Sequence, residues 1–360
     1  MLFREASKIF FLYLSKYSDF FLNFVSSFPF EASIKLTERC NSKCITCNVW
    51  KKKPKNEWSG KEIIEIFKQL REIKIKAITL TGGEPLLRED IGNLIKKAKE
   101  ITGAKVYLIT NGLLLKKKAK ILIESGIDYI SVSLDGVEEI NDKIRGIPGH
   151  FKKAIEGIKF LKKLSREKPL INIGTTLLKL NLTQIPQLIK ICQELKVNWS
   201  FNLLDQSLYF FQGIDFSNLT IKDKILIKKT IDYLNKVSQK NPEVFSFPPF
   251  VLEFSKNYLE GKRPYFKCSS GFLRVFITPT FDVYSGCWAL SPIGNLRKEK
   301  LKDILNSKRY KKRIKKMFNL KCPYCTCGYI FSLIIENLPS FLFWLIKNKK
   351  IIKKYFQLYL

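Results

Sequence analysis

From Ala32 onward the chain alternates short apolar runs with longer amphipathic ones. The runs Ala32–Leu36, Ala77–Leu80, Val106–Thr110, Tyr129–Leu134, Ile171–Thr176 and Trp199–Leu203 are rich in β-branched and aromatic residues and read as strands. Between them Gly60–Glu72, Asp90–Ile101, Leu115–Ser125, Phe151–Leu164 and Gln184–Leu195 repeat apolar positions at helical spacing. Strands that alternate with helices predict βαβ units around a parallel sheet, an α/β architecture. Six such units predict an incomplete parallel (β/α)6 barrel. Ahead of it, Ile9–Phe28 reads as one helix, apolar and aromatic over most of its surface. After it, Asp205–Lys262 reads as an insertion with one helix, Ile221–Gln239, and a loop at Phe247-Pro248-Pro249. A hairpin is expected from Phe272–Thr278 and Phe281–Tyr284 with its turn at Pro279-Thr280, then a basic helix, Leu301–Met317, and an apolar tail from Tyr329. The expected organisation is therefore 1–30 aromatic helix, 31–204 partial barrel, 205–262 insertion, 263–328 small second module and 329–360 apolar basic tail.

Composition describes a globular chain, 46% hydrophobic and 27% charged. Its balance is unusual: 64 basic residues against 32 acidic give +32. Such an excess fits a polyanionic partner, nucleic acid or an anionic membrane face. A lysine-, isoleucine- and phenylalanine-rich composition produces the same excess without any partner. Lys16 and Asp19 interrupt the apolar stretch at Met1–Phe30 and no small-residue cleavage site follows, so no secretory leader is expected. The nine cysteines then read as ligands or core, not disulfides, in a cytoplasmic protein.

Eight of those cysteines fall in two groups. In the first, Cys40, Cys44 and Cys47 follow the first strand directly. Three thiolates so close ligate three irons of a four-iron cluster and leave the fourth iron open. A structural zinc site wants four ligands, and the only histidine, His150, is remote. At the end of the second strand stands Thr81-Gly82-Gly83-Glu84-Pro85. Its glycines admit close backbone approach, at the end of a barrel where active sites collect.

Cys40-x3-Cys44-x2-Cys47 together with Gly82-Gly83-Glu84-Pro85 resembles the radical S-adenosylmethionine (SAM) superfamily, over roughly Ala32 to Leu203. The resemblance implies a 4Fe–4S cluster whose open iron binds the amino and carboxylate groups of SAM. One electron, from a donor such as a ferredoxin or flavodoxin, would then yield a 5′-deoxyadenosyl radical that abstracts a substrate hydrogen. It further implies that the backbone of Gly82, Gly83 and Glu84 receives the methionine amino group, and that Ser133 and Asp135 face SAM. Arg145 would pair with the SAM carboxylate, and Asn111 is a further candidate. Many members carry an aromatic residue just before the third cysteine; here it is Thr46.

The second group, Cys268, Cys287, Cys322, Cys325 and Cys327, is similar to the auxiliary-cluster extension of these enzymes, in its short twitch form rather than the longer SPASM form. That implies a second 4Fe–4S cluster, on Cys268, Cys287, Cys322 and Cys325, with Cys327 an alternative ligand or a spare. A four-cysteine zinc site accepts the same spacing. Cys192, on an apolar helix face, reads as core.

For the substrate three readings stand: a membrane lipid or isoprenoid-type molecule, a peptide or protein, or a sugar. The first draws on the aromatic ends and on Lys311–Lys316 and Lys347–Lys354, which fit an anionic membrane surface and a peripheral location on its inner face. Glu336 and Pro339 inside the tail's apolar run argue against a membrane span. A zinc-containing nucleic-acid-binding protein explains the charge and the later cysteines. It leaves Cys40–Cys47 with Gly82–Pro85 unexplained, so nucleic acid is not favoured.

Overall fold

The structure, a computed structural model, describes residues 2–52, 57–165, 167–204, 214–323, 325–326 and 328–348. Helix α1 (Leu2–Leu14) leads into β1 (Glu31–Lys35), and five βα units follow. These are α2 (Gly60–Glu72), β2 (Ala77–Thr81), α3 (Ile91–Thr102), β3 (Lys105–Thr110), α4 (Leu115–Glu124) and β4 (Tyr129–Ser133). Then come α5 (Glu138–Arg145), α6 (His150–Leu164), β5 (Leu170–Leu177), α7 (Ile185–Leu195) and β6 (Asn198–Leu203). Strands β1 to β6 pair in sequence order, all parallel, as an open barrel wall. The strand register separates two faces. Ile78, Leu80, Val106, Leu108, Ile130 and Val132 are buried on one, where the amphipathic helices cover them. Burial of each such side chain contributes about 1.5–3 kcal/mol.

Beyond the barrel lie α8 (Lys224–Lys240), α9 (Pro249–Leu259), α10 (Ser270–Leu273), β7 (Arg274–Ile277), β8 (Asp282–Tyr284) and β9 (Gly294–Asn295). Helices α11 (Leu301–Asn306), α12 (Lys308–Phe318), α13 (Tyr329–Glu336) and α14 (Leu338–Lys347) complete the described chain. The expected hairpin is not free-standing. Its first strand, β7, pairs in parallel with β1, so one nine-stranded sheet runs β6-β5-β4-β3-β2-β1-β7-β8-β9.

Several elements differ from the sequence reading, each for a local reason. The expected helix Ile9–Phe28 stops at Leu14, where the Ser15 hydroxyl donates back to the Phe11 carbonyl. The extended residue Ser18 then caps a separate short turn, Asp19–Phe24. Ser307 likewise splits the expected basic helix, because its extended backbone lets its hydroxyl accept from the Tyr310 amide and start α12 afresh. Pro249 opens a helix instead of lying in a loop, since the first turn needs no amide from it. The apolar tail divides at Asn337 into α13 and α14, bent by 92°. No single described helix is long and apolar enough to cross a membrane, although that bent pair passes by length and composition.

Candidate active site

The first cysteine loop leaves β1 at Leu36 and is tied down on three sides. Thr37 donates its hydroxyl to Glu57 and accepts from the Arg39 amide. The amides of Gly83 and Glu84 donate to the carbonyls of Thr37 and Arg39, both at 2.8 Å. This contact explains the glycine pair: a Cβ on Gly82 would lie 2.5 Å from the Thr37 oxygen, and one on Gly83 2.3 Å from the Arg39 oxygen.

On the third side, the loop amides of Lys43 and Ile45 donate to the carbonyls of Arg145 and Ile144, at the C-terminus of α5. Those carbonyls have no partner within the helix, so loop and helix end satisfy each other. Gly146 follows with φ +67°, and a Cβ there would fall 2.2 Å from the Lys43 oxygen.

Each of the three sulfurs faces an N–H donor. The amide of Ser42 points at Cys40 Sγ, that of Val49 at Cys47 Sγ, and Arg145 Nη1 lies 3.9 Å from Cys44 Sγ. Burial pushes all three thiols up, Cys40 to about 11, so iron binding must displace their protons. Among the described residues no three His, Cys, Asp or Glu side chains close on a single-ion site. A four-iron cluster, whose ligands surround four separated irons, asks for no such convergence.

Glu84 is fully buried, and its carboxylate accepts from Leu86 N, Thr110 Oγ1 and Asn111 N. Burial raises it to about 7 against the pull of those donors. It therefore staples the glycine turn to the end of β3. Asn111 donates to Asn41 Oδ1 at 2.8 Å and lies 4.0 Å from Cys40 Sγ. Ser133 is half-buried at the end of β4, in register with Gly174. Asp135 is fully buried; Oδ1 accepts from the Thr176 amide, and Oδ2 pairs with Arg145 at 2.6 Å. Arg145 thus bridges Asp135 and Cys44, and its Nε has no hydrogen-bond partner among the described residues. The Arg145 side chain is 13% exposed, so a ligand carboxylate would meet the guanidinium at that exposed edge.

Sequence reasoning missed the support behind this pair. Asn141 accepts from the Asp135 amide and donates to His150 Nδ1, while Asn181 donates to the Asp135 carbonyl. No spacing rule marks such residues, because their partners are backbone atoms brought close by folding. It also missed Lys35, fully buried on β1, 3.7 Å from Glu38 and 5.9 Å from the Trp288 ring. Burial lowers it to about 8, against the pull of Glu38 and Cys47. A lysine inside the apolar run Ala32–Leu36 was the available signal.

The second cysteine group assembles between β8, α10 and the turn after α12. Cys268, Cys287 and Cys325 are buried and Cys322 is half-buried; Cys287 Sγ and Cys325 Sγ are 3.9 Å apart. Burial lifts the Cys268 thiol well up, and Cys325, Cys287 and Cys322 lift it further. Cys327 lies outside the described residues. Trp288, next to Cys287, stacks on Phe276 at 4.7 Å, and Lys35 at the end of β1 lies 5.9 Å from its ring. Cys192 is buried in the core.

Residues 34–192 match the model of the radical SAM superfamily, and residues 268–328 match that of the SPASM iron–sulfur cluster-binding domain. The chain is 33% identical over 162 residues to the pre-heme d1 synthase of Dinoroseobacter shibae, covering 44% of this chain and 39% of that protein. It is 35% identical over 165 residues to the Fe-coproporphyrin III synthase of Methanosarcina barkeri, covering 45% and 40%. These alignments therefore span about two fifths of those relatives. A probable GTP 3′,8-cyclase of Methanococcus maripaludis is 28% identical over 314 residues, covering 81% of this chain and 95% of the cyclase. Among solved structures, SuiB of Streptococcus suis bound to its precursor peptide SuiA superposes with a TM-score of 0.65 at 21% identity, covering 84% and 71%. The anSMEcpe structure with AdoMet and a Cp18Cys peptide gives 0.61 at 18% identity, covering 89% and 97%. Identities this low show a common fold.

Proposed function

This chain is a member of the radical SAM superfamily with a C-terminal SPASM domain, and from that premise we propose that it performs radical chemistry on a polar, hydrogen-bonding substrate. SAM and iron–sulfur clusters are the cofactors these domains imply. When bound, they supply reductive cleavage of SAM to a carbon-centred radical that removes a hydrogen atom. Cys40, Cys44 and Cys47 would hold the first cluster, and Cys268, Cys287, Cys322 and Cys325 the second. The glycine turn would lie beside the amino end of SAM, and the Arg145 guanidinium would pair with its carboxylate.

The observation that carries the substrate class is the sheet face that the helices leave uncovered. Register brings Tyr107 beside Tyr129, Ser131 beside Asn172 and Gly174 beside Ser200 on that face. Asn172 donates to the hydroxyls of Ser131 and Ser200, at 3.2 and 2.9 Å. Asn202, farther along the face, is exposed. An isoprenoid chain there would find apolar contact at the exposed Ile109, but it would leave the half-buried serine hydroxyls and the exposed Asn202 amide without hydrogen-bond partners. A peptide segment or a sugar offers partners to them. The exposed aromatic residues at the chain ends belong to other segments, from α1 to the Asp19–Phe24 turn and in α14.

The test is 5′-deoxyadenosine release by anaerobically reconstituted, dithionite-reduced enzyme. Wild type should cleave SAM slowly alone and faster with the aqueous peptide and sugar fraction of a cell extract, and Cys44→Ala should abolish release. Release that persists in Cys44→Ala would defeat the site assignment. Stimulation by the lipid fraction alone would defeat the polar-substrate reading.

A further inference from the structure

The two ends of the described chain meet in space. Lys16 Nζ donates to the Glu336 carbonyl at 3.2 Å, at the corner between α13 and α14. Lys315 Nζ of α12 donates to Asn23 Oδ1 at 2.8 Å, and Asn319 Nδ2 to Asp19 Oδ2 at 2.6 Å. The turn Asp19–Phe24, helix α12 and the α13–α14 corner are therefore neighbours.

This region leaves large apolar side chains in water. Tyr17, Phe20 and Phe24 are 68%, 60% and 54% exposed, and Phe343 and Ile346 of α14 59% and 62%. Helix α14 buries none of its residues. With Phe10 and Leu342, these two short segments hold seven of the thirteen exposed large hydrophobic residues among the described ones. Single exposed apolar residues are ordinary, but concentrations of them mark interaction surfaces.

Beside them stands α12, Lys-Arg-Tyr-Lys-Lys-Arg-Ile-Lys-Lys-Met-Phe, without an acidic residue. Tyr310, Ile314, Met317 and Phe318 enter the core, which turns Lys308, Lys311, Lys312, Lys315 and Lys316 outward. Between α12 and the Asp19–Phe24 turn lies a groove of about 390 Å³ whose lining mixes Lys311 and Lys315 with the polar Asn23 and Ser26 and the apolar Leu22 and Ile314. Its two lysines give the groove a cationic lining that suits an anionic group. Exposed aromatic rings flanked by lysines are the combination that an anionic bilayer interface accepts.

We propose that this composite face docks the protein peripherally on an anionic phospholipid surface, with Phe20 and Phe343 entering the headgroup region and the α12 lysines against the phosphates. The docking concerns location and stands apart from the substrate reading above. Much of the run Lys347–Lys354 lies outside the described residues and carries no part of it.

Flotation of the full chain, kept anaerobic, with vesicles of phosphatidylcholine alone or mixed equally with phosphatidylglycerol tests the docking. The chain should float with the mixed vesicles at low salt, weakly at high salt, and stay down with phosphatidylcholine. Replacing Lys311, Lys312, Lys315 and Lys316 together by Gln should weaken binding at least tenfold. Phe20→Ser with Phe343→Ser should do the same, with circular dichroism and iron content confirming that both variants remain folded. A full chain that stays in the soluble fraction at low salt overturns the proposal. So does loss on lysine replacement with the double serine variant unaffected, which would mark a site for a polyanion such as RNA. Equal flotation with both vesicle types would also overturn it.

Discussion

Replacing Asp135 by Ala tests how the Arg145 site is held. Asp135 and Arg145 pair at 2.6 Å, with side-chain exposures of 1% and 13%, so water neither screens the pair nor replaces the missing carboxylate. Removing one member of such a buried pair costs about 3–5 kcal/mol, because the remaining charge is left uncompensated. The Thr176 amide loses its acceptor too, a cost of about 1–3 kcal/mol that overlaps with the first. Against a typical total of about 5–15 kcal/mol, the variant gives up about a fifth or more of its stability. Asp135→Asn retains an acceptor for Thr176 and should fall at the lower end. Asp135→Ala combined with Arg145→Met should recover part of the loss, since no buried charge remains. Urea unfolding of anaerobic apo-protein, followed by circular dichroism, measures all three. Iron bound at the first site should also fall in Asp135→Ala, because the Arg145 and Ile144 carbonyls anchor the cysteine loop. An unchanged urea midpoint for Asp135→Ala, or a double variant no more stable than the single one, would refute the reasoning.

Gly83→Ala places a methyl 2.3 Å from the Arg39 carbonyl oxygen, a backbone atom that cannot rotate away. After reconstitution it should lose the first cluster and keep about four irons of about eight, the content of one cubane; full iron content would show that the loop gives way. His150 is the only histidine and fully buried, with burial lowering it to about 4. Its folded value lies below the ordinary 6.5, so the unfolded chain binds more protons between the two, and stability falls as pH drops from about 6.5 through about 4. The single imidazole resonance should therefore not titrate above pH 5, and a midpoint near 6.5 by proton NMR would contradict the burial.

Much of this molecule was written in local pattern. Six β-rich runs separated by amphipathic ones specify parallel βαβ units, because a strand buried under helices must return through a crossover. The first cysteine group stands at a short, recognisable spacing, Cys40-x3-Cys44-x2-Cys47, whereas Cys287 and Cys325 are far apart in sequence and only folding brings their sulfurs to 3.9 Å. What local pattern did not carry was every contact made through the backbone. That Gly82 and Gly83 are required by the carbonyls of Thr37 and Arg39, and that the end of α5 holds the cysteine loop, depends on chain segments forty to a hundred residues apart. Serines such as Ser15 and Ser307 end or restart helices through one hydroxyl, which apolar periodicity does not register. The polar face of the sheet was hidden in strands whose other residues look apolar, since only register decides that Ser131, Asn172 and Ser200 adjoin. The aromatic ends were visible as two separate runs. Folding made them one surface beside α12, because hydrogen bonds such as Lys16 to Glu336 and Lys315 to Asn23 join residues some three hundred positions apart.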